Sequence, residues 1–87
     1  MTDCLFCKIR DGEIPCDKVY EGDDIIAFRD VNPQAPTHVL IIPKKHIATI
    51  NDLEDEDITV AGKMTLVARQ IAADEGIDED GYRLVFN

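Results

Sequence analysis

Two apolar runs held apart by a proline-rigid loop leave this chain few ways to fold. Ile25-Ile26-Ala27-Phe28 and Val39-Leu40-Ile41-Ile42 are each four residues of unbroken hydrophobicity. Runs of that length suit strands better than helices. Between them, Asn32-Pro33 and Ala35-Pro36 fix the backbone and withhold amide donors, so the connection is a stiff loop. Pro43 closes the second run. This second run, Val39 to Ile42, is expected to be covered on both faces, or on one face with a dimer partner on the other.

The rest of the chain organises around this pair. Lys18-Val19-Tyr20-Glu21 alternates in character, and Gly22-Asp23-Asp24 is a turn cluster, so residues 18–30 are expected to form a β-hairpin. Upstream, Cys4 to Arg10 reads as a short helix, with Asp3 as its cap, Gly12 as its stop and Pro15 preventing continuation. Downstream, Asn51 and Glu54 fit a capping box. Ile58, Ala61, Leu66 (with Met64 beside it), Ala68, Ile71 and Ala72 recur at roughly helical spacing, with Val60 and Val67 on a second flank. Gly76 ends that long helix, Asp78 to Gly81 is a turn, and Tyr82 to Phe86 alternates as a final strand. The expected class is α+β: a mainly antiparallel sheet, a short first helix and one long helix, in a single domain over residues 1–87.

Composition narrows function. The 87 residues carry 18 acidic and 9 basic side chains, a net charge of −9, which repels a nucleic-acid polymer. A small phosphorylated ligand bound by local amides is compatible with that field. The acid concentrates in Asp52–Asp57 and Asp74–Asp80, which reads as solvated surface at the two ends of the long helix. The three cysteines, Cys4, Cys7 and Cys16, are odd in number and follow no apolar leader, so a reducing cytoplasmic setting is expected rather than a disulfide scaffold. No run reaches the roughly 18 apolar residues of a membrane span.

Few residues are equipped for chemistry. Cys4-x-x-Cys7 has the spacing of a metal or redox pair, or of two reduced thiols. A tetrahedral zinc site needs two further ligands, and His38, His46 and Cys16 are the available donors. Asp30, just beyond the second strand, has the chemistry to accept two ribose hydroxyl hydrogens, or simply to cap the turn before Asn32-Pro33. His38 reads as a hydrogen-bonded structural histidine. There is no serine, so a serine-type triad is excluded, and the five glycines are scattered rather than grouped into a phosphate loop.

The string Phe28-Arg29-Asp30-Val31-Asn32-Pro33-Gln34-Ala35-Pro36-Thr37-His38-Val39-Leu40-Ile41-Ile42-Pro43-Lys44-Lys45-His46-Ile47 closely resembles the histidine-triad (HIT) family, in its branch of small nucleotide-binding phosphoramidases. Phe6 to Ile9 with Glu13-Ile14-Pro15, and Gly81 to Asn87, are similar to the opening helix and to the strand after the long helix of that branch, so the likeness spans the chain. The resemblance implies a homodimer that joins two sheets and a purine nucleotide site, AMP- or GMP-like. It implies hydrolysis of a nucleoside phosphoramidate or related ester through a nucleotidyl-histidine. By position, Asp30 would bind the ribose hydroxyls, Phe6, Ile9, Phe28 and Val31 would line the base pocket, and Asn87 would approach the phosphate or leaving group. Structural zinc would be held by Cys4, Cys7, His46 and the first histidine of the triad motif.

That motif, His-x-His-x-His, is not among these residues, whose two histidines are His38 and His46. Neither matches the nucleophile, and the fourth zinc ligand and the closing strand or strands of the sheet are missing with it. The expectation is the N-terminal part of a HIT-like domain, inactive alone, because holding a nucleotide without a placed nucleophile does not accelerate hydrolysis. The alternative is a non-catalytic, zinc-stabilised dimerisation or interaction module.

Overall fold

The structure, a computed structural model, describes residues 5–86. The element order is α1 (Leu5–Arg10), β1 (Lys18–Glu21), β2 (Ile25–Arg29), β3 (Val39–Pro43) and α2 (Ile58–Asp74), with short 3-10 turns at Ile50–Asp52 and Asp55–Asp57. The chain divides into two compact units, with the boundary in sequence between His46 and Ile47.

The first unit is a three-stranded antiparallel sheet, ordered β1-β2-β3, with α1. Gly22 closes the hairpin turn by donating its N–H to the Ile25 carbonyl at 2.8 Å. In β1 the register slips between Lys18 and Tyr20, a bulge that shortens its regular pairing with β2. The pairing of β2 with β3 is uninterrupted, from Ile25 opposite Pro43 to Arg29 opposite Val39.

This register decides which side chains share a face. Successive residues of a strand point to opposite faces, so Ile26 and Phe28 lie on the same face as their partners Ile42 and Leu40. On that face α1 contributes Ile9, which packs with Ile26 and Phe28, and Ile14, Cys16, Leu40 and Ile42 surround them. Fully burying a side chain of this size stabilises by about 1.5–3 kcal/mol, so the cluster fixes α1 on the sheet. Arg10 adds a directional tie by donating from Nη1 to the Lys44 carbonyl at 2.7 Å.

The strand buried on both faces is β2, with Ile25 to Phe28 all buried, and not β3, which is half-buried along its length. The two runs are equally apolar in sequence. What separates them is that β2 lies between the other two strands while β3 has one strand partner among the described residues.

The second unit starts later than its capping signals suggest. Asn51 with Glu54 does not open the long helix. Instead Asp52 accepts the Thr49 N–H at 3.2 Å and Asp57 accepts the Glu54 N–H at 2.9 Å, each closing a 3-10 turn, and α2 begins at Ile58. Consecutive acidic residues offer several competing caps, and the register that buries Asp57 prevails. The inward face of α2 is Val67, Ala68, Ile71 and Ala72, with Val60, Ala61 and Met64 half-buried. Ile58 and Leu66 of the expected stripe are exposed, whereas its Ala68, Ile71 and Ala72 are buried together with Val67 of the second flank. Gly76, at φ +75°, ends the helix in the left-handed conformation that glycine adopts without strain.

The expected final strand is not formed. Residues 81–86 have no strand pairing, and Tyr82, Leu84, Val85 and Phe86 are exposed. Alternation prepares a segment for a sheet, but a strand exists only where a neighbour supplies its hydrogen bonds. No helix among the described residues is long and apolar enough to cross a membrane.

Candidate functional site

The β2–β3 ladder carries on one step past its regular end. Asp30 donates its N–H to the His38 carbonyl at 3.0 Å, so the two residues face each other directly after the Arg29–Val39 pair. By strand alternation they lie on the face that carries Phe28 and Leu40. The ladder thus sets a carboxylate and an imidazole at the rim of the core, each about a quarter exposed, at 22% and 28%.

Both side chains are held by the loop between them. Asp30 Oδ1 accepts the Asn32 N–H at 2.9 Å, closing an Asx turn. His38 Nδ1 accepts the Gln34 N–H at 3.0 Å. Since a backbone N–H can only donate, Nδ1 is the acceptor nitrogen and the neutral ring carries its proton on Nε2. Nε2 lies 3.5 Å from Asp30 Oδ2. The turn-capping reading of Asp30 therefore holds. Its side chain caps the turn through one oxygen and keeps the second on the side of His38.

The apolar residues assigned to the base pocket divide in two. Phe28 and Ile9 are buried at 3% and 7% exposure, inside the core cluster. Phe6 is exposed, its ring tilted against that of Phe28 with centroids 6.4 Å apart. Val31 is exposed beside Asp30. Phe6 and Val31 thus offer apolar surface to a ligand, and Phe28 supports Phe6 from behind. Asn87 lies outside the described residues.

A second cluster forms at the other end of β3. Buried Cys7, on α1, brings Sγ within 3.1 Å of Nδ1 of exposed His46. Around a tetrahedral zinc, with bonds of about 2.3 Å to sulfur and about 2.0–2.1 Å to nitrogen, these atoms would stand roughly 3.5 Å apart. The pair therefore fits a shared zinc with a small adjustment. Cys4, the third expected ligand, lies outside the described residues. Among the described residues no group of three or more His, Cys, Asp and Glu side chains converges. Cys16 belongs to the periphery of the core cluster.

Charge around the sheet is paired on the surface. Glu21 accepts from Lys18 at 3.1 Å and lies 3.3 Å from Lys44, linking β1 to the end of β3. Hydrogen bonding from Lys18, then from Lys44, holds the Glu21 carboxyl below its ordinary range. The Arg10 guanidinium does the same for Asp11.

Residues 3–87 match the family described as scavenger mRNA decapping enzyme C-term binding. Over 83 residues the sequence is 54% identical to the purine nucleoside phosphoramidase of Escherichia coli K12, covering 95% of this chain and 70% of that protein. A HIT family hydrolase from Legionella pneumophila Philadelphia 1 superposes with a TM-score of 0.95 at 59% identity, over 98% of this chain and 76% of its own. A histidine triad protein from Clostridium difficile gives 0.94 at 44% identity, over 100% and 76%.

The chain belongs to the HIT family.

Within this HIT-family chain, the pairing of Asp30 with His38 is what sequence reasoning missed. Residue types alone present the two separately, Asp30 as a carboxylate for hydroxyls or a turn cap and His38 as a structural histidine. The signal was present in their positions as the first residues beyond the facing ends of two antiparallel strands. The Gln34 N–H, which sets the imidazole tautomer, left no trace in residue types because the donor is backbone.

Proposed function

We propose that these residues form the nucleoside-holding part of a purine nucleotide hydrolase of the phosphoramidase type. The observation that carries this reading is the Asp30 carboxylate, fixed at a strand end on the sheet face that carries Phe28, against whose ring the exposed Phe6 is tilted, with exposed Val31 next in sequence. The 54% identity to a purine nucleoside phosphoramidase supports it. Asp30 accepts hydrogen bonds from the ribose hydroxyls. Phe6 and Val31 contact the base over a floor of Phe28 and Ile9. Asn87 reaches the phosphate or leaving group. The product is a nucleoside monophosphate, and the ligand is AMP- or GMP-like.

The bond-breaking step uses a histidine nitrogen that attacks the α-phosphorus. A new phosphorus–nitrogen bond forms as the amine departs with a proton, and water then cleaves the nucleotidyl-histidine. The histidine sits in a His-x-His-x-His run outside these 87 residues. His38 is committed to Gln34 and Asp30, and His46 to Cys7. The 87-residue chain therefore binds nucleotide but does not turn it over by itself. Cys4, Cys7 and His46 hold a structural zinc whose fourth ligand comes from the same run, and the protein works as a cytoplasmic homodimer. A thiolate and an imidazole suit zinc, which ties α1 to the segment after β3.

The test is calorimetric binding of AMP and GMP, together with a phosphoramidate hydrolysis assay on the 87-residue chain, with and without a peptide carrying the triad run. Expected are binding that Asp30→Ala removes, no turnover by the chain alone, and some turnover on adding the peptide. Turnover that survives both His38→Ala and His46→Ala in the chain alone would overturn the catalytic assignment. Zinc bound stoichiometrically with no nucleotide affinity would instead favour the non-catalytic, zinc-stabilised module, which the Cys7–His46 contact supports.

A further inference from the structure

We propose that His38 is a positioning residue that sets the ribose specificity of Asp30. The proposal rests on the nucleotide reading above and adds to it a role for a side chain that binds no ligand itself. A carboxylate that is to receive two vicinal hydroxyls must present both oxygens in one orientation. An Asp side chain at a strand end has free rotation to lose in doing so. Here rotation is restrained from both sides. Oδ1 is held by the Asn32 N–H at 2.9 Å, and Oδ2 lies 3.5 Å from His38 Nε2.

The imidazole is itself restrained. Its Nδ1 accepts the Gln34 N–H at 3.0 Å, which leaves the proton on Nε2, the nitrogen 3.5 Å from Asp30 Oδ2. The backbone link between Asp30 N–H and the His38 carbonyl fixes the spacing of the two side chains. The carboxylate thus meets its ligand already oriented, and ordering it costs little at the moment of binding. The groups that gain from this are the two ribose hydroxyls. Base and phosphate contacts do not pass through Asp30. His38 therefore governs discrimination between ribose and deoxyribose more than overall affinity.

The experiment measures dissociation constants of the full chain for AMP and for 2′,3′-dideoxy-AMP by calorimetry. It compares the wild type with His38→Leu, His38→Gln, Asp30→Ala and the double variant His38→Leu/Asp30→Ala. Glutamine places an amide N–H near the position of Nε2, whereas leucine keeps bulk without a donor. Expected is a preference for the ribonucleotide that falls about tenfold in His38→Leu, and that His38→Gln restores in large part. Adding Asp30→Ala to His38→Leu should reduce the preference no further than Asp30→Ala alone.

Nitrogen-15 NMR of the free protein supplies a readout independent of nucleotide and of any variant. His38 should show an unprotonated Nδ1 and a protonated Nε2. The opposite tautomer would overturn the proposal. If His38→Leu keeps the full ribose preference while Asp30→Ala loses it, His38 has no positioning role and the nucleotide reading stands. If Asp30→Ala keeps the preference, or the wild type binds no nucleotide, both fall together.

Discussion

The two ends of β3 each place a histidine, and the two imidazoles meet different chemistry. Before the strand, His38 is held by the Gln34 N–H and faces a carboxylate. After it, His46 faces the sulfur of Cys7. The first arrangement is made of oxygens and backbone amides from one loop, so it is local and pre-set by the ladder. The second joins α1 to the segment after β3, so it depends on the helix staying docked. One end suits a ligand rich in hydroxyls and the other a soft metal, although the residue type at the centre is the same.

The largest expected effect removes what both ends share. Phe28→Ala, in the core under both, should cost about 3–5 kcal/mol in denaturant unfolding and disable both sites together. Survival of either site at full strength in that variant would show that the ends do not depend on a common core. The next effect should separate them. In the protein carrying its triad run, Cys7→Ala is expected to lower zinc content from one per chain to near zero and leave the ribose preference intact. Zinc retained at full stoichiometry would sink the metal reading of the His46 end. Conversely, Asp30→Ala should weaken AMP binding by about 10–100-fold, the loss of one or two hydrogen bonds to a charged acceptor, with zinc content unchanged.

The smallest effect concerns the clamp across the sheet. Glu21 has its carboxyl held below the ordinary value of 4.5 by Lys18 and Lys44, so the stability it adds is present above that pH and lost as pH falls below it. Glu21→Gln should therefore lower stability slightly at neutral pH and converge with the wild type in acid, which flattens the acid limb of a thermal-stability profile; the effect is small because the group is solvent-exposed. An equal loss at every pH would point to packing instead.

Much of the first unit was legible because its signals are local or are fixed by a short hairpin. Ile25 to Phe28, Gly22 to Asp24 and Val39 to Ile42 each announce their own conformation, and antiparallel neighbours follow from the short connections. What sequence could not rank was burial. Two equally apolar runs differ in cover because one lies in the middle of the sheet. In the second unit Leu66 and Met64 both fit a loose helical stripe, and only the position of the buried Val67 and Ile71 decides between them. Tyr82 to Phe86 has the composition of a strand, but pairing is a property of two segments and one of them is not local. Asp30 and His38 were legible as chemistry, whereas their partnership required the register.

The bulge in β1 has a consequence for life at high concentration. A regular outer strand offers a row of unmatched amides and carbonyls on which another chain can template itself. In β1 the slip between Lys18 and Tyr20 breaks the even spacing of that row, and Lys18 and Glu21 put charges along it. A foreign strand arriving there would meet a kinked, hydrated border. Among the described residues β1 is an outer strand, and this flank of the sheet is thereby poorly suited to fibrous self-assembly.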